Sequence, residues 1–348
     1  MKELKVGIIG ANGYSGAELI RILQQHPEVE LSIMASHSTS GQLITEQYPH
    51  LQGITETRLE QINIEDIMGK AELFFFSTPS GVSKNLIHRF IEKQIPCIDL
   101  SGDHRLKDSL LYDKWYKYSS APESVLKKST YGLPELFRQE IKTSTLIANP
   151  GCYPTATLLG LAPVLKECLI DTNSIIIDGK SGVTGAGRKA SMGTHYCEVN
   201  ENVKAYKLGS HQHIPEMEQV IQAYSGETAT ITFTPHLVPM SRGIMCTIYA
   251  DLMEPLTTEA VLKYYQEFYE DEYFVRIRQE GKWPATKEVF GSNFCDVGVT
   301  VDGRTNRIMI VSVIDNVMKG ASGQAVQNMN LMNGWDESAG LKISPVYP

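Results

Sequence analysis

No run of eighteen apolar residues occurs in the 348-residue chain, so the sequence offers no membrane-spanning helix. Cationic excess is also lacking. The 32 Lys and Arg are outnumbered by 40 Asp and Glu, giving a formal net charge of −8. That balance favours solubility and argues against a nucleic-acid surface. The six cysteines (97, 152, 168, 197, 246 and 295) are scattered and include no C-x-x-C pair. In a chain of this length the pattern fits reduced cytosolic thiols better than a disulfide framework. Repeats, low-complexity tracts and charged tails are absent. The opening M-K-E-L-K-V-G-I-I-G enters a strand at once and leaves no room for a signal peptide, so a cytoplasmic location is expected. What remains, 42% hydrophobic and 21% charged, describes a globular protein of about two domains.

Leu4–Gly10 is a short apolar strand, followed by the turn G-A-N-G-Y-S-G from Gly10 to Gly16 and a helical pattern from Ala17 to Leu23. Strand, glycine turn and helix form the context that a dinucleotide fingerprint requires. The spacing, G-x-x-G-x-x-G, is one residue longer in its first gap than the commonest form. A plain tight turn is the competing reading. The second strand, Val29–Ala35, ends in Ser36-His37-Ser38-Thr39-Ser40-Gly41 without the acid that usually holds a ribose 2′-hydroxyl. Hydroxyls and backbone N–H groups donate to a 2′-phosphate, so NADP is expected over NAD, unless the stretch is merely an exposed loop. Two more strand-to-loop units follow: 71–76 into Ser77-Thr78-Pro79-Ser80-Gly81 with a helix from Val82, and 95–100 into Ser101-Gly102-Asp103-His104-Arg105. Unbroken apolar strands alternating with helices predict a parallel sheet covered on both faces, with ligands at its carboxyl edge. Asp103 and Arg105 read more readily as a structural ion pair than as substrate contacts.

Between Ile147 and Leu158 the chain runs I-A-N-P-G-C-Y-P-T-A-T-L: a strand, a Pro-Gly turn, Cys152, then a helix start. A helix N-terminus carries roughly half a positive charge, and a cysteine placed there can expose thiolate at neutral pH. Most free cysteines serve instead as small buried hydrophobes, and both readings stand at this point. Downstream, 174–179, 229–234, 243–250 and 307–314 read as strands, several alternating polar and apolar, and 257–268 as a helix. This second half is an α+β domain. Its loop Ser181-Gly182-Val183-Thr184-Gly185-Ala186-Gly187-Arg188 offers backbone donors and an arginine to an anion, or is a flexible surface loop. The stretch 235–243 places Arg242 in a Pro-bounded loop, and Asp315–Ala325 turns from the last strand into a helix reaching about Met332. His211 and His213 lie two apart; with His195 and His236 they show no recognised metal spacing, so no metal is expected. A histidine acting as acid/base beside the cysteine is the sharper reading, and an ordinary hydrogen-bonded histidine the plainer one.

A dinucleotide domain, a helix-start cysteine and a downstream histidine are the parts of an acyl-transferring dehydrogenase. Here the chain resembles the N-acetyl-gamma-glutamyl-phosphate reductases, the arginine-pathway relatives of aspartate-semialdehyde dehydrogenase. The matching stretches are G-A-N-G-Y-S-G, D-L-S-G-D-H-R-L, Y-G-L-P-E, N-P-G-C-Y-P-T, S-G-V-T-G-A-G-R, H-Q-H-I-P-E, P-H-L-V-P-M-S-R-G and K-G-A-S-G-Q-A-V-Q-N-M-N, in order and ending at residue 330. The resemblance implies a Rossmann-like parallel-sheet NADP-binding domain over 1–149, with the C-terminal helix segment 320–348 returning to it. It implies an α+β catalytic and oligomerisation domain of the semialdehyde-dehydrogenase type over 150–319.

The implied reaction is NADPH-dependent reduction of N-acetyl-glutamyl 5-phosphate to N-acetyl-glutamate 5-semialdehyde, with Cys152 as nucleophile and His211 as acid/base. Arg188, Arg242, Arg105 and Ser181 are the expected substrate contacts. Gly10, Asn12, Gly13, Tyr14, Ser15, Gly16, Ser36, Ser38, Thr78, Pro79, Ser181, Gly182 and Asn316 are the expected cofactor contacts. A homo-oligomer, dimer or tetramer, is implied. The chain departs from the family pattern at His37, where relatives often carry a basic residue, at Ser80 in place of a histidine, and at Gln212 in place of an arginine. The competing readings are aspartate-semialdehyde dehydrogenase and, in a different class, a non-catalytic NADP-sensing protein.

Overall fold

The structure is a computed structural model describing residues 3–347. The chain forms two compact units: one reaches to Pro150 and takes back Ala321–Lys342, the other comprises Gly151–Gly320 and the tail from Ile343.

The first unit is built on six strands: β1 (Leu4–Ile9), β2 (Val29–Ala35), β3 (Leu73–Phe76), β4 (Cys97–Asp99), β5 (Thr130–Tyr131) and β6 (Leu146–Ala148). All pair in parallel, in the order β2-β1-β3-β4-β6-β5. Every residue of β3, β4 and β6 is buried, without alternation, as expected of strands covered on both faces. Helices α1 (Tyr14–Leu23), α2 (Ile87–Glu92) and α3 (Pro134–Lys142) intervene between strands. β2 flanks β1 on one side and β3 flanks it on the other, so the strand order reverses at β1 and opens a crevice at the carboxyl ends of β1 and β3.

The C-terminal helix, Gly323–Met332, joins this unit through buried amides rather than an apolar stripe. Gln324 and Asn328 both donate to the Gly132 carbonyl, at 2.9 and 2.8 Å, and Asn330 Oδ1 meets His26 Nε2 at 2.9 Å. Gly132 is indispensable there, since a Cβ would lie 2.5 Å from Asn328 Nδ2.

In the second unit a mixed sheet runs β11-β12-β13-β10-β7-β9-β8. Its strands are β7 (Ile176–Ser181), β8 (Lys204–Ala205), β9 (Thr232–Leu237), β10 (Ile244–Asp251), β11 (Val275–Ile277), β12 (Cys295–Asp302) and β13 (Arg307–Ile314). Strict alternation of burial along β10 marks one covered face. The helices are α4 (Cys152–Lys166), α5 (His213–Ser225) and α6 (Thr258–Phe268). α4 is buried from Tyr153 to Leu165 and packs on β10 and β13 with α5 and α6 beside it, as a helix apolar all round must. Pro163 deprives the Leu159 carbonyl of its helical donor. The Tyr269 hydroxyl replaces it at 2.5 Å, and Tyr265 donates to the Gly160 carbonyl at 2.6 Å.

Several expectations shift. The strand read at 229–234 runs Thr232–Leu237, so Pro235 and His236 lie in the sheet rather than in a loop. Pro235 is tolerated because β9 pairs in parallel with β7 on one side and with the two-residue edge strand β8 on the other. The helix read from Val82 is a 3₁₀ turn, Ser83–Asn85, followed by α2. β12 escaped the sequence reading because C-D-V-G-V-T-V-D carries two Asp residues and a Gly. Asp296 is satisfied by Arg276 at 2.5 Å, a pairing distant in sequence. The tail from Ile343 belongs to the second unit, where Val346 N–H donates to the Phe290 carbonyl at 2.9 Å, not to the first.

Candidate active site

In the first unit the three glycines of the turn after β1 do different work. Gly10 adopts φ +94° and a Cβ on it would lie 2.3 Å from the Ser77 carbonyl, so the turn interlocks with the loop after β3. Gly16 seats α1, since its Cβ would fall 2.6 Å from the Gly10 carbonyl. Gly13 has no heavy atom closer than 3.7 Å to the Cβ position, which leaves its backbone open to a ligand. These are the turn, approach and packing roles a pyrophosphate loop needs. The Thr78 hydroxyl, beside that turn, is buried with no hydrogen-bond partner. An orphan buried donor is costly unless a ligand satisfies it. The turn and Thr78 therefore fit a dinucleotide.

At the end of β2, Asn12 Nδ2 donates to Ser38 Oγ at 3.0 Å, and His37 is exposed. Ser36 is buried, its hydroxyl accepting from Thr39 at 2.9 Å. Arg105 donates to the carbonyls of Asn149 (2.9 Å) and Leu100 (3.0 Å), which suits a brace of the sheet's carboxyl edge better than a substrate contact.

In the second unit Cys152 is the first residue of α4, with Gly151 as extended N-cap, and is partly exposed. Its thiol stands at the positive end of a fifteen-residue helix. The Gly151 N–H donates to the fully buried carboxylate of Glu216 at 2.7 Å, which fixes the start of the helix from α5. On the other side Gly320 presses on Cys152: a Cβ would lie 2.8 Å from Cys152 Cβ and 3.2 Å from its Cα. Gly320 belongs to a π-turn, Met318–Ser322, its N–H bonded to the Asp315 carbonyl at 3.0 Å. We expect Gly320→Ala to displace the thiol and lower kcat about a hundredfold with dinucleotide affinity retained. The alkylation rate of Cys152 by iodoacetamide, measured beside kcat, checks this; an unchanged pair of rates would refute it.

His211 is buried, in edge contact with the rings of Tyr153 (5.8 Å between centroids), Tyr206 (5.6 Å), His213 (4.7 Å) and Phe233 (5.3 Å). Its Nδ1 accepts the His213 N–H at 3.2 Å, which places the imidazole proton on Nε2. Burial, reinforced by Lys207, pulls its pKa down to about 3, so it is neutral at physiological pH. Tyr153 donates to the His236 carbonyl at 3.0 Å and shares a hydrogen bond with Tyr206. Burial pushes the Tyr206 hydroxyl up to about 12, against the lowering effect of its bond with Tyr153.

A second group of loops stands beside the π-turn. Arg242 Nε donates to Asp315 Oδ2 at 3.0 Å and its guanidinium lies 5.5 Å from the Phe290 ring. Asp315, fully buried, also accepts the N–H groups of Gly291, Val317 and Met318 at 2.7, 2.9 and 3.1 Å. Asn316 accepts from Gly243 N–H at 2.7 Å and donates to Thr184 at 3.0 Å, tying three loops together. These two bonds make it a brace between the loops and leave one amide hydrogen over for a ligand. Ser181 donates to the Gly182 carbonyl at 3.0 Å, Gly182 abuts the Ser241 carbonyl, and Arg188 lies on an exposed loop.

Glu216, Tyr206, Asp315 and Gly320 were missed as site residues. The first and last lie inside quoted motifs, H-Q-H-I-P-E and K-G-A-S-G, but only their contacts reveal a role. Among the described residues no group of three or more His, Cys, Asp or Glu side chains could hold a metal ion, and no helix is long and apolar enough to cross a membrane.

A parallel nucleotide sheet followed by a mixed sheet whose central helix starts at a cysteine defines a semialdehyde dehydrogenase. The families described as "Semialdehyde dehydrogenase, NAD binding domain" and "Semialdehyde dehydrogenase, dimerisation domain" match residues 5–144 and 152–316. Aspartate semialdehyde dehydrogenase II from Vibrio cholerae shares the fold at TM-score 0.73 and 20% identity, over 96% of this chain and 99% of that one. The Candida albicans aspartate semialdehyde dehydrogenase solved with NADP does so at TM-score 0.73 and 14% identity, over 95% and 99%. Within that class the chain belongs to the N-acetyl-gamma-glutamyl-phosphate reductase family. It is 52% identical over 345 residues to the enzyme of that name from Bacillus subtilis (strain 168), covering 99% of this chain and 100% of the relative. Identity to the Geobacillus thermodenitrificans (strain NG80-2) enzyme is 53% over the same shares. The chain is thus an oxidoreductase with an NAD(P)-binding domain.

Proposed function

We propose that this chain reduces N-acetyl-glutamyl 5-phosphate to N-acetyl-glutamate 5-semialdehyde in arginine biosynthesis, with NADPH as reductant and Cys152 as covalent nucleophile. The observation that carries the reading is full-length identity above 50% to reductases of that substrate. Cys152 at the N-terminus of α4 supports the covalent route.

The Cys152 thiolate attacks the acyl carbon, a C–S bond forms, the acyl–oxygen bond breaks and phosphate leaves. The dinucleotide, when bound, supplies a hydride equivalent. After reduction at the thioester carbon, the thiohemiacetal collapses by breaking the C–S bond, releasing the aldehyde and returning the thiolate. His211, neutral with its proton on Nε2, supports these steps as a hydrogen-bond donor to the developing oxyanion. That is a narrower role than the acid/base assigned from the sequence, because Nδ1 is already occupied by the His213 N–H. Arg242, oriented through Nε by Asp315, and Arg188 are the candidate partners for the substrate's phosphate and carboxylate.

On the cofactor side, Gly10–Gly16, Asn12, Ser38, Thr78 and Pro79 grip the dinucleotide. The preference for NADP rests on the absence of an acid at the end of β2. Glu60, whose backbone pairs with Ala35, turns its carboxylate to Lys70 at 2.5 Å. We expect a homo-oligomer in the cytoplasm, assembled through the second unit.

The test is the reverse reaction: purified protein, N-acetyl-glutamate semialdehyde, phosphate, and NADP or NAD, followed by absorbance of the reduced cofactor. Phosphate-dependent reduction of NADP supports the proposal. Turnover of aspartate semialdehyde alone would overturn the substrate, and an NAD preference would overturn the cofactor.

A further inference from the structure

The loop after β3 hangs between two anchors. At its near end Ser77 N–H donates to the Ile9 carbonyl at 2.8 Å, and the Ser77 carbonyl occupies the space where Gly10 would need a side chain. At its far end the turn beginning at Gly81, φ +91°, is held by one fully buried carboxylate, that of Asp103. Asp103 Oδ1 accepts from Gly81 N–H at 2.7 Å and from the Tyr118 hydroxyl at 2.6 Å. Its Oδ2 accepts from Lys84 N–H and from Ser83 Oγ, both at 3.0 Å. Ser83 and Ser101 link it to a second buried carboxylate, Asp99, which His104 engages through Nδ1 at 2.6 Å. Between the anchors lie Thr78, Pro79 and Ser80; the Pro79 carbonyl accepts from Val82 N–H at 3.3 Å, the Ser80 side chain bonds Tyr118, and the Thr78 hydroxyl is the orphan beside the glycine turn. Four donors thus converge on the one buried carboxylate of Asp103.

We propose that Asp103 is a positioning residue for the reductase reaction: by clamping the Gly81–Lys84 turn it holds Thr78 and Pro79 where they grip the dinucleotide, and so sets cofactor affinity. The inference rests on the functional reading above. It differs from that reading in assigning a role to a side chain whose own atoms face Gly81, Ser83, Lys84 and Tyr118.

The test is Asp103→Asn, in which the amide accepts on one side only, so at least one of the two backbone N–H groups loses its acceptor. The Kd for NADPH, read by cofactor fluorescence, and the KM for NADPH should both rise about tenfold, with kcat within about twofold of wild type. Tyr118→Phe removes one donor from the same carboxylate at a half-buried position and should raise Kd in the same direction by a smaller factor. It answers the question if Asp103→Asn does not fold.

Asp296→Asn, also a buried carboxylate but in the second unit, should lower the melting temperature without changing NADPH affinity. Unchanged Kd in both Asp103→Asn and Tyr118→Phe would overturn the proposal. So would an equal rise in Asp296→Asn, which would show general destabilisation. Failure of the wild-type protein to bind NADPH at all would overturn the functional reading, and this inference with it.

Discussion

Cys152→Ser is expected to lower the phosphate-dependent reduction of NADP by on the order of 10⁴-fold or more while NADPH binds as before. The oxygen is nearly isosteric and keeps the partial exposure of the thiol, so α4 and its Gly151 cap should persist. What is lost is chemical. A hydroxyl does not ionise in the neutral range even at a helix N-terminus, and an alkoxide is a far poorer leaving group than a thiolate when the hemiacetal must collapse. Both covalent half-reactions fail together. The measurement is a progress curve at high enzyme concentration beside a fluorescence titration with NADPH. Residual turnover within about tenfold of wild type would remove Cys152 from the role of nucleophile.

His211→Asn should cost about 10²- to 10³-fold in kcat with little change in KM for NADPH. The imidazole is buried among Tyr153, Tyr206, His213 and Phe233, and its Nδ1 already accepts the His213 N–H. Asn can imitate Nδ1 but reaches no farther; Gln places an amide N–H near the Nε2 position. The two variants therefore separate the functions, and His211→Gln should retain more activity than His211→Asn. Equal loss in both would point to packing rather than donation.

The depressed pKa also has a sign that stability measurements can read. The native imidazole titrates near 3, well below the ordinary 6.5, so the unfolded chain takes up a proton that the native one refuses. Stability from this residue is complete above about pH 6.5 and falls as pH drops from there towards about 3. His211→Gln should flatten that part of the acid limb in denaturant unfolding.

The apolar strands 4–9, 73–76 and 146–148 were legible because a parallel strand covered on both faces is written as an unbroken apolar run. The glycine turn and the Cys152 helix start were legible too, since each is a contiguous motif with its flanks. β12 and the displaced start of β9 were not, because their membership in the sheet depends on partners. Asp296 can lie in a core only because Arg276 reaches it, and Pro235 can lie in a strand only because its neighbours there tolerate a missing donor. His211 illustrates the same division within the site. The H-x-H spacing marks it as a candidate, yet its protonation state follows from burial and from one backbone N–H.

By itself, then, the sequence determined the two-domain α/β organisation, the dinucleotide turn, the family and Cys152 as the candidate nucleophile. Each of these is carried by local order along the chain. Only the tertiary structure decided that Gly320 shapes the space around Cys152, that Glu216 secures the cap of its helix, that Asp315 turns Arg242, and that Asp103 holds the turn at Gly81. These are contacts between residues far apart in sequence, most of them through buried charge or a missing side chain. Their meaning resides in what folding brings against them.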